Sequence, residues 1–307
     1  MKAPVLACIY SDSGMGKTAE TLFAFPSNAC YIAAPGALNC AENLLGVPIP
    51  EVGKSAFEAK TLDDAVELIN TKLQDKKFVA LIVDDLSLLV QNTVIFYETH
   101  PDPRKRLKGF DLWHFILNYT VKFAEAVRHS LGAHVILSAH SQPSHDVRGE
   151  FIKGGPMLPG KGAAVIPKHC DLVLRAITNQ NRLGWPRVFQ CNNADDGYTT
   201  KDRNMVCADE VPMNLAEILR MSGYVIPRYH GLEWQDATVE KLSEMLKVHV
   251  GAAGGVDAMK DILRAAQVTI AKKYTTDPRH IAWTLRDAAD RAVLKATRNS
   301  PLNSFGL

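Results

Sequence analysis

The sequence lacks the signatures of several protein classes. No run approaches the roughly 18 consecutive apolar residues of a membrane span. The apolar stretch near Met1 is far shorter than the roughly 7–15 residues of a secretory h-region. The six cysteines include no C-x-x-C pair and no regular spacing, which argues against a disulfide framework and for reduced, mostly buried thiols. His140, His145, His169 and Cys170 match no zinc-ligand spacing. Formal net charge is only +2, from 35 Lys and Arg against 33 Asp and Glu. The whole chain is therefore not drawn to nucleic acid or anionic lipid, and any basic surface must be local. Internal repeats and low-complexity segments are also missing. What remains is an ordinary globular composition, 47% hydrophobic and 22% charged over 307 residues. That suits one large domain with an appendage, or two small domains, in a soluble cytoplasmic protein with no membrane partner.

The first two-thirds alternate apolar runs with helical stretches. Residues 5–10, 30–34, 78–83, 134–138 and 171–177 read as strands, and continuous apolar runs of this kind suit strands buried on both faces. Residues 18–25 and 110–131 read as helices. Thr61 opens another, with Asp64 three residues on in a capping-box pattern. A further strand at 185–190, separated from 171–177 by the turn-rich 179–184, makes an antiparallel hairpin. The expected fold class is α/β, a mainly parallel sheet with helices on both faces and an antiparallel pair at its edge. From 212 the pattern turns helical throughout, so the chain divides into a core at 1–211 and an all-helical C-terminal region at 212–307.

Between the first strand and the first helix stand Ser11, Asp12, Ser13, Gly14, Met15, Gly16, Lys17 and Thr18. A phosphate-binding loop needs inward-turned backbone N–H groups, a lysine for the β- and γ-phosphates, a hydroxyl for Mg²⁺ and a helix N-terminus behind them. Gly14, Gly16, Lys17 and Thr18 supply these in order, although Ser11 replaces the usual first glycine. Downstream, an apolar strand ends in Asp84 and Asp85. An acid at that place positions Mg²⁺ through water, so Thr18 and Asp84 are the expected metal-site pair. Asp85 is either a group that polarises the attacking water or a solvated loop acid. His140, at the end of a third strand, is either a γ-phosphate sensor or a histidine bonded to backbone.

With these elements in this order, the chain resembles the RecA-like ATPases, and among them compact phage-encoded "AAA domain" proteins similar to core-only recombinases. The resemblance covers about residues 4–204 and implies ATP and Mg²⁺ as cofactors. It also implies a homo-oligomeric ring or filament, and action in a bacterial host's cytoplasm. In such assemblies, basic residues after a late strand reach the neighbouring subunit's γ-phosphate, a place matched by Lys201 and Arg203. Two segments fall where these ATPases contact single-stranded DNA. One carries Arg104, Lys105, Arg106 and Lys108. The other is a long irregular loop, 142–168, with Arg148, Phe151, Lys153 and Lys161, where cations can track phosphates and an aromatic can stack on a base.

One departure bears on activity. RecA-like enzymes usually carry a catalytic glutamate at the end of the second strand, where this sequence has Ala33, Ala34 and Pro35; Glu42 is the nearest acid. The leading expectation is a DNA-stimulated ATPase of the recombination or annealing type. Its rivals are a ring-type DNA motor (helicase or packaging) and a nucleotide-switched assembly protein with little turnover.

Overall fold

The apolar run Leu6–Ser11 forms strand β1 and is buried along its whole length. It sits at the centre of a sheet in a computed structural model that describes residues 3–25, 28–39, 50–145, 148–178, 187–192 and 196–225. Glu42, the turn expected at 179–184 and the part beyond 225 of the expected helical region lie outside the described residues. After β1 come α1 (Lys17–Ala24), β2 (Ala29–Ala33), β3 (Ala56–Glu58), α2 (Leu62–Leu68), β4 (Ala80–Asp84), α3 (Leu86–Glu98) and α4 (Gly109–Ser130). The chain continues through β5 (His134–His145), β6 (Phe151–Pro156), α5 (Gly162–His169), β7 (Leu172–Thr178), β8 (Arg187–Gln190), β9 (Lys201–Asp202), β10 (Glu210–Pro212) and α6 (Leu215–Met221).

The strands lie in the order β10-β8-β7-β1-β5-β4-β2-β3, with β6 on β5 and β9 on β7. From β7 across to β3 every neighbouring pair is parallel, while β8, β10, β6 and β9 add antiparallel pairs. Alternate residues of β1 serve opposite faces. Leu6, Cys8 and Tyr10 join a core with Leu62, Leu86, Leu112 and Ile116 of α2, α3 and α4. Ala7 and Ile9, equally buried, face the other way. The expected capping box closes on α2, where Thr61 Oγ1 accepts from Asp64 N and Asp64 Oδ2 accepts from Thr61 N. Glu20 of α1 accepts from Leu215 N at 2.7 Å and so ties α6 to α1.

Several stretches differ from expectation. Where it is described, the irregular loop expected at 142–168 is largely regular: β5 runs on to His145 and pairs antiparallel with β6, and α5 follows. Glycine-rich β6 shows no apolar alternation, because at Gly154 the missing side chain makes room for Tyr198. A Cβ there would stand 2.0 Å from the tyrosine ring. Pro167, inside α5, masks the helix in the sequence. Also unexpected are the short strands β3, β9 and β10 and the helix α3, whose apolar residues fall all round it, so no amphipathic period marks it.

Candidate functional site

The loop after β1 is shaped by two left-handed glycines, Gly14 (φ 77°) and Gly16 (φ 88°). Residues with a Cβ rarely adopt that conformation. Gly16 is the N-cap of α1, so the helix begins at Lys17 with its free N–H groups turned to the loop. Asp12, Ser13 and Gly14 form the exposed crest and Met15 is half-buried. Ser11, the last residue of β1, stays in extended backbone and is buried. Its hydroxyl donates to Asp12 O at 2.9 Å and accepts from Lys17 Nζ at 3.3 Å. Lys17 also donates to the Ser11 and Asp12 carbonyls, at 3.2 and 3.3 Å. The serine in place of glycine thus gives the lysine an acceptor. Burial lowers the Lys17 ammonium below its ordinary range, opposed by the charges of Asp85, Asp84 and Asp12.

Strand order brings the acids to the loop. β5 lies between β1 and β4, and its register sets His140 beside Ser11. Asp84, at the end of β4 and 2% exposed, accepts from Thr18 Oγ1 at 2.5 Å through Oδ2. Its Oδ1 accepts from Ser138 Oγ of β5 at 2.6 Å. Asp84 is joined to Asp85 by a cis peptide. Asp85 caps α3, its Oδ1 accepting from Ser87 N (2.6 Å) and Leu88 N (3.2 Å). The other oxygen, Oδ2, stands 3.1 Å from His140 Nε2, and His140 N donates to Ser87 Oγ at 3.0 Å. Burial raises the Asp85 carboxyl above its ordinary range, opposed by His140 and reinforced by the Asp84 charge. Asp85 and His140 therefore form a partly desolvated acid–imidazole pair. Titrating groups perturbed by burial and specific charges mark functional sites more often than bland surface.

The Thr18 hydroxyl and Asp84 carboxylate converge on one point. Both are hard oxygen donors of the kind Mg²⁺ prefers, and Ser138 keeps the carboxylate aimed there, so the residues present fit the ion. Among the described residues no group of three or more His, Cys, Asp and Glu could hold a metal by itself. The end of β2 carries no acid, and Ala34 N donates to Asp84 O at 2.7 Å.

Lys201 and Arg203 lie at the opposite end of the sheet, beside the start of β1. Lys201 Nζ donates to the Pro167, Lys168 and Cys170 carbonyls at 3.3, 3.0 and 2.6 Å, closing the C-terminal end of α5. Arg203 Nη1 pairs with buried Asp171 at 2.7 Å, and the same carboxylate receives Arg128 and Leu6 N. Both cations have partners within their own chain, which a role on a neighbouring subunit would have to displace.

Arg104, Lys105, Arg106 and Lys108 are exposed between α3 and α4. Arg104 pairs with Asp102 at 3.1 Å and Arg106 donates to His100 O. Arg148 and Lys161 are exposed near β6, on which Lys153 is also exposed and Phe151 is the first residue. A cavity of about 350 Å³ lies between α3, the first turn of α4 and the base of the β5–β6 hairpin. Ser87, Val94, Ile95, Trp113, Gln142 and Met157 line it. Trp113 and Phe110 are 45% and 80% exposed, and Phe110 stacks on His114. Sequence reasoning missed these aromatics because helical spacing reads as core. Their place directly after a run of cations was the available signal.

The model of the family described as "AAA domain" matches residues 3–204, and the chain belongs to that family. With this loop and sheet it has the α/β core of a P-loop nucleotide-binding domain. Among solved structures, the crystal structure of the RadB recombinase is similar at 17% identity, covering 61% of this chain and 80% of that one, with a TM-score of 0.37. A comparison with curated proteins finds no significant match. Among the described residues no helix is long and apolar enough to cross a membrane.

Proposed function

We propose that this AAA-domain chain binds ATP with Mg²⁺ in the loop from Ser11 to Thr18, hydrolyses it, and couples turnover to single-stranded DNA in recombination or annealing. The observation that carries the reading is the run of hydrogen bonds from Thr18 through Asp84 to Ser138, beside the Asp85–His140 pair. It supports the reading because the loop backbone, the Thr18 and Asp84 oxygens and the Asp85–His140 pair lie at neighbouring strand ends. Lys17, whose charge is disfavoured by burial, gains an anion when phosphate replaces its carbonyl partners. Thr18 and Asp84 would hold Mg²⁺, which would supply neutralisation of the phosphates' charge. Asp85 and His140 orient a water in line with the γ-phosphate and take its proton.

The DNA half of the reading rests on convergence. The cationic segment leads into α4, whose Trp113 lines one cavity together with Gln142 and Met157 at the base of the β5–β6 hairpin. Cations there track phosphates while Trp113 and Phe110 offer faces to bases. Ser87 lines the cavity and accepts from His140 N, so a strand held there bears on the residues that hold the acid–imidazole pair. Assembly into a ring or filament belongs to the same proposal, but Lys201 and Arg203 would reach a neighbour's nucleotide only by giving up their own partners at the end of α5 and at Asp171. A DNA motor built on the same site is separated by strand displacement.

A second reading, an ATP-switched assembly protein with little turnover, is favoured by the acid-free end of β2. Steady-state hydrolysis with and without single-stranded DNA, against Lys17→Ala as blank, tests both. Turnover that rises with DNA and disappears in the variant supports the first. Nucleotide binding without turnover in either condition transfers the conclusion to the second, and normal hydrolysis by Lys17→Ala refutes the site itself.

A further inference from the structure

The cavity beside α3 is lined by two side-chain amides. Gln91 shares one face of α3 with Ser87 and Ile95, four residues before and after it, and all three line the cavity. Gln142 enters from β5, where the residue opposite it is Gly155, so no cross-strand side chain packs on the amide. Both glutamines are exposed, and among the described residues neither amide has a hydrogen-bond partner. Trp113 and Met157 supply apolar wall. Met157 is fixed to β5, its N–H donating to His140 O at 2.7 Å. At about 350 Å³ the space falls at the lower end of small-ligand pockets. An apolar side chain placed there would take both amides from water without replacing their hydrogen bonds. The walls suit instead a flat group with donors and acceptors on its rim. A nucleobase is such a group, since its face stacks on an indole while its rim stays free to bond.

The two amides also select among bases. Each offers an acceptor and a donor side by side. Adenine's amine carries two N–H bonds and is flanked by an acceptor on each side, N1 and N7. One adenine can therefore pair with two amides at once, one on each side of its amine. Cytosine has an acceptor on only one side of its amine, and guanine and thymine carry a carbonyl at that place. From this complementarity we infer that the cavity takes one adenine of a bound single strand, stacked on Trp113 and held by Gln91 and Gln142. The inference rests on the single-stranded DNA reading above and adds to it a preference for base. The cations that lead into α4 hold the strand's phosphates whatever its sequence, and the glutamines decide which base is seated.

The test measures, by fluorescence anisotropy, binding of the full chain to oligothymidylates that carry a second base at spaced positions. That base is adenine, purine (no amine), 1-deazaadenine (no N1) or 7-deazaadenine (no N7). The wild type is expected to bind the adenine strand about tenfold more tightly than the purine strand or plain oligothymidylate, with each deaza strand between. Gln91→Leu and Gln142→Leu should each lose the penalty for one deaza analogue and keep it for the other, a split that a merely structural defect does not produce. An adenine strand bound no more tightly than the purine strand overturns the inference, and it does so in the wild type, however the variants fold. An adenine preference intact in both variants overturns it as well. Adenosine monophosphate that displaces the strand as effectively as the adenine strand itself would assign the cavity to a free nucleotide and refute the inference too. Should the wild type bind none of the strands, the single-stranded DNA reading fails and this inference falls with it. Equal binding to all of them is distinguishable from that outcome, because it leaves the DNA reading standing and removes only the base preference.

Discussion

Replacing Lys201 with Met keeps the apolar stem of the side chain and removes the ammonium that closes α5. Three carbonyls at the helix end, those of Pro167, Lys168 and Cys170, lose their donor. A hydrogen bond from a charged group is worth about 1.5–3 kcal/mol, and a cation at a helix C-terminus about 0.3–1 kcal/mol. Lys201 is half-buried, so water can reach the freed carbonyls and the lower end applies, about 1.5 kcal/mol. For a folded unit of this size that lowers the melting temperature by roughly 3–6 °C. The assay is thermal unfolding followed by circular dichroism, with hydrolysis measured at 25 °C and a mixing experiment against Lys17→Ala. If Lys201 serves its own fold, Lys201→Met melts early, retains turnover while folded, and mixing merely averages the two proteins. If it is a finger for the neighbour, Lys201→Met melts with the wild type and is inactive alone. Mixing then restores turnover at interfaces that combine an intact loop with an intact finger. That second pattern would refute the structural assignment.

At Gly154 an alanine Cβ would collide with the Tyr198 ring, which also lies against the Arg175 guanidinium. Gly154→Ala should cost about 1–3 kcal/mol, read in denaturant unfolding, and an unchanged midpoint would contradict the packing. Asp85→Asn keeps the cap on α3, since Asn caps as well as Asp, but removes the proton acceptor. Turnover should fall at least a hundredfold with nucleotide affinity little changed, and near-normal turnover would remove Asp85 from the mechanism. Because burial raises the Asp85 carboxyl, its ionised form is disfavoured in the folded state. Wild-type stability should therefore fall as pH climbs from the ordinary aspartate range through the raised value, and Asp85→Asn should lack that fall. The acid limb of wild-type turnover belongs to Asp85 and should lie above the ordinary aspartate range, because burial raises that carboxyl. Changing Arg104, Lys105, Arg106 and Lys108 to Ala should flatten the salt dependence of single-stranded DNA binding by about 0.7 in log–log slope for each phosphate no longer neutralised. An unaltered slope would place the DNA elsewhere.

What the sequence discloses and what it hides follow one physical division. The phosphate loop is legible because its parts are contiguous: two glycines, a lysine and a threonine at fixed offsets, between an apolar strand and a helix. The buried strands are legible too, since continuous apolar runs at β1, β4 and β7 need two covered faces. The partners of those residues are not contiguous. Ser138 holds Asp84 from 54 residues away, and Arg187 meets Met15 from 172 residues away. Each pairing exists because β5 separates β1 from β4 and β8 folds back on β7, an order that no local pattern encodes. The β5–β6 hairpin is hidden for a related reason: glycine removes the alternation by which a strand is read, and does so to admit the ring of Tyr198, far along the chain. Ser11 shows the converse. In the sequence it reads as a defect in the loop, yet its hydroxyl gives Lys17 an acceptor beside the place of the phosphates. Replacing it with the expected glycine would delete that acceptor, so the two departures are to be judged differently. Serine at the loop is compensated within the site, whereas no described side chain replaces the missing acid at the end of β2. Among the described residues, the proton acceptors beside the loop are those at the ends of β4 and β5, where Asp85 and His140 stand.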